Sequence, residues 1–408
     1  MNMSNMLLMI TVQTPWGKAE GFILEEMLEI KSQGKELLII PRDPPREVFH
    51  RDAEKLLKDA IWLPLINFRM LMMFFKAFFT SICLWRILGT VLFNSSSIRS
   101  LIKNMVIFPK GILIAEIVRK KEVKHIHAHW GTTTATIAYI VSKWTTIPWS
   151  FTLHRWDIKE NNILVEKIRS AQFVRCISEY GRKELLDIVG HRYGKKIVVI
   201  HVGVRIPKGI SRIAEMKKDY PKFRIVTPAN LLEVKGHRYL VEACSILVKK
   251  GIENFECIFY GEGPLKTQLE KQVKKNLLEE NVRIPGVLLS HNELIRKYEN
   301  AEVDIVVLPS IITDKGEHEG IPVAAMEAMA HKIPVISTNT GSIPELLEGQ
   351  AGLMVSEKSA LELANAILRL MSERDLSVEV SENGYKRVEK EYDIRTTTRK
   401  LLDLISEA

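Results

Sequence analysis

The chain alternates short apolar runs with longer segments in which apolar residues recur every three or four positions. Apolar runs of four to eight residues bounded by turn residues read as buried strands, and the 3.6-residue recurrence reads as amphipathic helices. In the first half the strands fall at 6–12 (MLLMITV), 36–41 (ELLIIP), 123–128 (VKHIHA), 148–153 (PWSFTL), 172–177 (QFVRCI) and 196–201 (KIVVIH). In the second half they fall at 223–228, 255–260, 282–286, 303–309, 332–337 and 351–355. Strand and helix in alternation predict a parallel sheet with helices on both faces, so the fold class is α/β with two doubly wound, Rossmann-like units in succession. A polar segment at 204–222, containing Pro207, Gly209 and Pro221, separates them. The predicted organisation is an N-terminal domain over 1–203, a linker over 204–222 and a C-terminal domain over 223–395. The last helix, 396–408, is free to pack back on the first domain. Ligands of open parallel sheets bind outside the carboxyl ends of the strands, and two such edges can face each other across a cleft.

One stretch departs from this grammar. Residues 61–93, IWLPLINFRMLMMFFKAFFTSICLWRILGTVLF, are almost wholly apolar, interrupted by Arg69, Lys76 and Arg86. A spanning helix takes about 20 predominantly apolar residues, and these cations interrupt the run. At about 100° per residue Arg69 and Lys76 fall nearly on one line, with Arg86 within about a quarter turn. Two readings stand side by side. One is an amphipathic helix or helical pair lying on an anionic membrane; the other is a core helix of the first domain with its cations at the rim.

Length and charge narrow the partners. A chain of 408 residues exceeds one ordinary core, which suits two domains. The net charge of +9 favours an acidic partner such as a phosphorylated ligand or an anionic surface. Nucleic acid fits poorly, because the basic residues are dispersed and not interleaved with aromatics. Cys83, Cys176, Cys244 and Cys257 form no C-x-x-C pair and read as thiols in a reducing compartment. The start, MNMSNMLLMITVQ, has no basic n-region and reads as a first strand rather than a signal peptide. The expected location is the cytoplasm, with the inner face of the cell membrane as an extension if 61–93 binds lipid.

Candidate chemistry lies in the loops after strands. The strand VDIVVLP runs into SIITDKGEHEG, and a helix begins near Pro322, a residue suited to the first helical position. Unpaired N–H groups from Gly320 to Ala324, together with the positive end of the helix dipole, make an anion site. Glu319 and Glu327 flank that terminus. Ionised carboxylates only accept hydrogen bonds, so hydroxyl groups suit them better than phosphate does. The plainer reading of these residues is acidic charge complementing a helix terminus. Lys235 precedes a helix in the loop 229–237, where it either reaches diphosphate oxygens or is a solvated surface lysine. The loop GEGPL at 261–265 is explained by an ordinary strand-to-helix turn. His154 ends the strand PWSFTL and is placed to donate to phosphate or sugar hydroxyl, or else is structural. His125, His127 and His129 alternate along a strand end, but no spaced cysteine or carboxylate completes a zinc set, and no metal is assigned. Gly17 and Lys18 follow the first strand, where backbone N–H groups can approach phosphate.

These residues resemble a known family. EGIPVAAMEAMA, with Glu319 and Glu327 seven residues apart, is similar to the E-x7-E signature of retaining GT-B glycosyltransferases, specifically family GT4. The similarity continues in order through GKAE, HIHAHWG, FTLHRWDI, ISEYGRKEL, VIHVGV, VKGHRYLVEA, GEGPL, IPGVLLSHNEL, VVLPS and STNTGSIPELL. The wording around EGIPV is most like bacterial enzymes that build exopolysaccharide and other surface glycans. The resemblance implies a GT-B fold and transfer of a sugar, with retained configuration, from a UDP- or GDP-sugar to a hydroxyl of a glycan or lipid-linked acceptor. No cofactor is implied. Carried over by position, Lys235 would bind the donor diphosphate, and Glu319 would contact sugar hydroxyls with the backbone of Gly320, Ile321 and Val323 nearby. Glu327 would bind the ribose, the backbone at Gly286 and Val287 the base, and His154 the transferred sugar. Two positions depart from the family pattern: Asn230 stands where an arginine is frequent, and Gly17-Lys18 replaces a Gly-Gly pair. Other readings are a sugar phosphorylase or epimerase on the same fold, and a non-catalytic sugar-nucleotide-binding scaffold of a glycan assembly complex.

Overall fold

The computed structural model describes residues 6–407 except 18–19, 45–46, 49, 208, 210–221 and 288–290. Lys18 and most of the segment 204–222 therefore lie outside the described residues. The chain divides into two compact units, one formed by Met1–Gly203 with Ile394–Ala408, the other by Val204–Asp393.

The first unit runs β1 (Met6–Thr11), α1 (Gly21–Ser32), β2 (Glu36–Pro41), α2 (Phe68–Thr80), α3 (Ile82–Asn94), α4 (Ile98–Arg119), β3 (Val123–His129), α5 (Thr133–Thr145), β4 (Trp149–Leu153), α6 (Arg155–Glu160), α7 (Leu164–Ser170), β5 (Val174–Cys176), α8 (Glu179–Val189) and β6 (Ile197–Val199). Its sheet has the order β2-β1-β3-β4-β5-β6, all parallel. The period of two along β1 sorts the core. Leu8 and Ile10 join Phe108, Ile114 and Ile140 of α4 and α5 on one face. Leu7 and Met9 join Ile23 and Met27 of α1 on the other, where Leu401, Leu402 and Ile405 also pack.

The second unit runs β7 (Phe223–Pro228), α9 (His237–Lys249), β8 (Phe255–Tyr260), α10 (Lys266–Lys275), β9 (Val282–Arg283), α11 (His291–Glu299), β10 (Ile305–Leu308), α12 (Val323–Ala330), β11 (Val335–Thr338), α13 (Ile343–Leu346), β12 (Leu353–Val355), α14 (Ala360–Ser372) and α15 (Arg374–Glu391). Its parallel sheet has the order β12-β11-β10-β7-β8-β9. The chain then crosses back, and α16 (Ile394–Ser406) supplies the leucines that cover α1. Each strand inferred from the apolar runs is present, most of them shortened at one end or both.

The apolar stretch at 61–93 forms α2 and α3, two helices of 13 residues meeting at 102°. Their buried sides, Ala77 of α2 and Leu84, Ile87, Leu88 and Val91 of α3, belong to the core of the first unit. Their other sides are open to solvent. The stretch is therefore core on one face only.

Candidate functional site

In the second unit the strand ends at β7 and β10 converge. Hydroxyls fix them: Thr227 Oγ1 donates to Val307 O at 2.8 Å, and Ser337 Oγ to Leu308 O at 2.6 Å. After β7 the chain passes through the exposed Asn230 to a short 3-10 turn, Glu233–Lys235. Gly236 follows at φ 64°, and a Cβ there would stand 1.9 Å from Pro309 O. Ile311 N donates to Val234 O at 2.9 Å, so this turn is knitted to the end of β10. The result brings the Lys235 ammonium and the Glu319 carboxylate into a partly buried ion pair, across 84 positions of sequence.

Glu319 leads into α12. Pro322 is the N-cap of this helix, with extended backbone (ψ 119°), and not its first helical residue; Ala325 N turns back to Pro322 O at 3.1 Å. The early-proline argument thus holds one position further upstream. Among the described residues no protein acceptor meets the N–H groups of Gly320, Ile321, Val323 and Ala324. Glu327, on the next turn, lies 3.2 Å from Nδ1 of His291, the residue that opens α11. His291 follows closely on Gly286 (φ 70°) and the half-exposed Val287, so Glu327 faces the part of the chain expected to hold a base. Glu317 contributes through its backbone, its N–H donating to Thr313 Oγ1 at 3.1 Å.

One support was not singled out in the sequence. Gly341 (φ 54°) lies under the site, where a Cβ would come within 2.0 Å of Glu319 O. Its signal is the Gly of STNTGSIPE just ahead of a helix-initiating Ile-Pro. The GEGPL glycines also prove to be spacers: a Cβ at Gly261 would meet Ala229 O at 1.9 Å and one at Gly263 would meet Leu231 O at 2.5 Å. That loop braces the Asn230 turn.

In the first unit His154 is buried at the end of β4, its ring 4.3 Å from Trp130 and 5.3 Å from Phe22. Burial, with the nearby His129 and Arg175 adding to it, keeps His154 far below the ordinary histidine range, so the ring is neutral. Its Nε2 is buried without a hydrogen-bond partner among the described residues. A neutral imidazole is matched to a hydroxyl and supplies no countercharge for phosphate. Lys167 Nζ donates to Gly131 O at 2.7 Å and Thr132 O at 2.8 Å, which anchors the turn after Trp130. Burial lowers that ammonium to about 7 and raises the adjacent Asp157 carboxyl to about 7.

The loop after β1 differs from the phosphate cradle anticipated at Gly17. Glu20 folds back into it, accepting from Val12 N (3.2 Å), Gln13 N (2.7 Å), Thr14 N (2.7 Å) and Thr14 Oγ1 (2.9 Å), and from Trp130 Nε1 at 2.6 Å. Gly17 N donates to Gln13 O at 3.2 Å. The loop amides are thus filled by the chain's own carboxylate. The three histidines of β3 are structural in the same sense. His125 Nε2 and His127 Nδ1 each lie 2.7 Å from Ser150 Oγ, and His127 Nε2 lies 2.9 Å from Thr152 Oγ1. His129 Nε2 lies 3.0 Å from Glu26, which also pairs with the fully buried Arg175 at 2.6 Å. Burial opposes the charge on Glu26, but Arg175 and His129 outweigh it and hold the carboxyl far below the carboxylate range. Neither member of this buried pair announced itself in the sequence, because Glu26 sits in a helix and Arg175 in a strand without a motif.

Comparison with known proteins agrees with this architecture. Residues 194–387 match the family of glycosyl transferases group 1. The amylovoran biosynthesis glycosyltransferase AmsK of Erwinia amylovora is 34% identical over 212 residues, or 52% of this chain and 51% of that protein. The chain thus spans about half the length of the curated relatives it matches first. Among solved structures, the Anabaena protein Alr3699/HepE in complex with UDP aligns over 99% of this chain and 100% of its own, with a TM-score of 0.72 at 16% identity. A glycosyltransferase of Rickettsia africae ESF-5 aligns over 99% and 98%, with a TM-score of 0.69 at 22% identity. The chain therefore has the GT-B fold, and its residues 194–387 match the glycosyl transferases group 1 family.

Proposed function

We propose that the protein is a retaining glycosyltransferase that moves a sugar from a UDP- or GDP-sugar to a hydroxyl of a glycan or lipid-linked acceptor in surface polysaccharide synthesis. The observation that carries the reading is the grouping of Lys235, Glu319 and the unfilled amides ahead of α12, with Glu327 one turn beyond. In this reading the donor diphosphate takes Lys235 and the amides of Gly320, Ile321, Val323 and Ala324. Glu319 then exchanges its ammonium partner for sugar hydroxyls, and Glu327 accepts from the ribose. The base lies along Gly286 and Val287. Asn230 offers an amide where a fixed cation would otherwise stand, leaving Lys235 and the helix terminus to carry the countercharge.

The acceptor oxygen bonds to the sugar carbon on the face from which the diphosphate leaves, and its proton passes to the departing phosphate oxygen. Negative charge grows on the diphosphate as the bond breaks, and Lys235 and the α12 terminus stabilise it there. His154, neutral, orients a sugar hydroxyl. The AmsK resemblance supports exopolysaccharide as the product class, and the UDP complex of the HepE neighbour supports a uridine donor. Four unpaired cysteines support a reducing, cytoplasmic setting.

A thermal-shift screen against UDP-, GDP- and ADP-sugars identifies the donor, because a ligand that binds the folded state alone raises the melting temperature. With that donor, Lys235→Ala and Glu319→Ala are each expected to lower transfer by about 100- to 1,000-fold. Wild-type rates in both variants would refute the site.

A further inference from the structure

Between Asp59 and Glu116 the chain contains no acidic residue, although it carries Arg69, Lys76, Arg86, Arg99, Lys103 and Lys110. Two of these are accounted for inside the fold: Lys110 is buried, donating to Pro41 O and Leu63 O, and Lys103 pairs with Glu160 at 3.0 Å. The other four are exposed, and none meets a carboxylate among the described residues.

The same surface is apolar. On α2 the exposed residues Phe68 (78%), Met72 (55%), Phe75 (56%) and Phe79 (81%) are spaced four, three and four apart, one stripe of the helix opposite the buried Met70 and Ala77. On α3, Ile82, Trp85, Leu92 and Phe93 (90%) are exposed, while Leu84, Ile87, Leu88 and Val91 enter the core. Ile98 and Ile102 continue the surface onto the first turns of α4. Arg69 and Lys76 lie about a quarter turn from the α2 stripe, and Arg86 falls beside the α3 stripe. The platform is braced. Trp85 Nε1 donates to Phe78 O at 2.9 Å across the bend, the Phe78 and Trp85 rings lie 4.3 Å apart, and Phe74 packs edge-on to Phe108 of α4 at 5.8 Å.

We propose that α2, α3 and the start of α4 form a docking surface for an anionic phospholipid bilayer. The aromatic and aliphatic side chains enter the boundary between headgroups and acyl chains, and Arg69, Lys76, Arg86 and Arg99 extend along them to lipid phosphates. Charge decides the occupant. Four exposed cations lie in and beside the apolar stripes, and no acidic residue between Asp59 and Glu116 offsets them, which complements the phosphates of an anionic leaflet. No single helix among the described residues is long and apolar enough to cross a membrane, and the 102° bend suits a surface that lies on the bilayer.

The test is flotation of the full chain with vesicles of phosphatidylcholine alone and of phosphatidylcholine mixed with phosphatidylglycerol. Binding to the mixed vesicles is expected to be at least about tenfold tighter and to weaken as salt rises. Phe79→Glu with Phe93→Glu should reduce that binding by more than about tenfold while leaving the unfolding midpoint unchanged, since both rings are exposed. Lys76→Glu with Arg86→Glu should abolish the preference for anionic vesicles. Wild-type protein that stays unbound, or a Phe79→Glu/Phe93→Glu protein that binds as well as wild type, would overturn the proposal. A concentration-dependent dimer that this double variant dissociates, without vesicle binding, would assign the face to a second copy and also overturn it. None of these readouts involves a nucleotide sugar, so they stand apart from the test of the transfer reaction.

Discussion

Replacing Gly236 by alanine tests the geometry on which the site depends. At φ 64° an alanine pays the left-handed strain of an L-residue, about 1–2 kcal/mol. Its Cβ would also stand 1.9 Å from Pro309 O, where about 3.0 Å is the closest that real Cβ atoms come, so some part of the loop must move by 1.1 Å. Overpacking of that kind costs about 1–3 kcal/mol. The sum is a loss of about 2–5 kcal/mol for Gly236→Ala. Gly251 supplies the control within the same unit: its φ is 78°, but no atom lies within 4 Å of the position a Cβ would take. Gly251→Ala should therefore lose only the strain, about 1–2 kcal/mol. Urea unfolding of the three proteins measures the difference. Function is expected to separate them further, because the turn that must move carries Lys235. A displacement of about 1 Å in a positioning element can cost about 100-fold in rate. Transfer should fall steeply in Gly236→Ala and stay near wild type in Gly251→Ala. Equal stability losses in the two variants, or full transfer by Gly236→Ala, would refute the account of this loop.

Three further outcomes follow from the first unit. Arg175→Met leaves Glu26 buried beside His129 alone and should cost about 3–5 kcal/mol in urea unfolding, while Glu26→Leu combined with Arg175→Met should cost less, since no charge is stranded. Glu26 is held below its ordinary value of 4.5 in the folded state, so its contribution is complete above about pH 4.5 and is lost as pH falls further. Wild-type stability should therefore fall more steeply below about pH 4.5 than that of Glu26→Gln, and parallel slopes would contradict the assignment. Glu20→Ala removes the acceptor for three loop amides and the Trp130 indole, and should cost about 2–4 kcal/mol. It should also shift tryptophan emission, with Glu20→Gln intermediate; an unchanged spectrum and midpoint would remove Glu20 from this role.

The strands were legible because their signal is local. The run Leu7-Leu-Met-Ile10 is buried on both faces, so each of its positions is apolar and the run marks itself. Glu319 and Lys235 were also legible, through motif order, although their ion pair spans 84 positions and no periodicity reports it. Other features have no local signal at all. The Gly341 position under Glu319 O depends on an approach between two loops, and the Glu26–Arg175–His129 group on the stacking of α1 against the sheet. The 61–93 stretch shows a third limit. Its composition admitted both a core and a surface reading, and the folded chain uses both, because each of α2 and α3 buries one side and exposes another apolar side. The cations mark one line on each helix, and apolar residues on both sides of that line leave the protein-facing side undecided.

The two units share an architecture, yet the loops after their first and fourth strands in chain order are finished differently. After β1, three consecutive amides converge on one point, the arrangement that elsewhere receives a phosphate, and the Glu20 carboxylate already occupies it. A second anion there would have to displace a carboxylate that also holds Trp130, at the cost of both sets of hydrogen bonds. After β10, the amides from Gly320 to Ala324 meet no protein acceptor among the described residues, and the nearest carboxylate, Glu319, is turned to Lys235. In the proposed transfer reaction, charge balance favours the second unit for the diphosphate. In the same reading the first unit, with its internal anion and a neutral His154, suits uncharged hydroxyl groups. Pyrophosphate is expected to protect against thermal unfolding in wild type and in Glu20→Gln alike, and the protection should be lost in Lys235→Ala; protection that disappears with Glu20→Gln and survives Lys235→Ala would refute this division by placing the anion on the first unit.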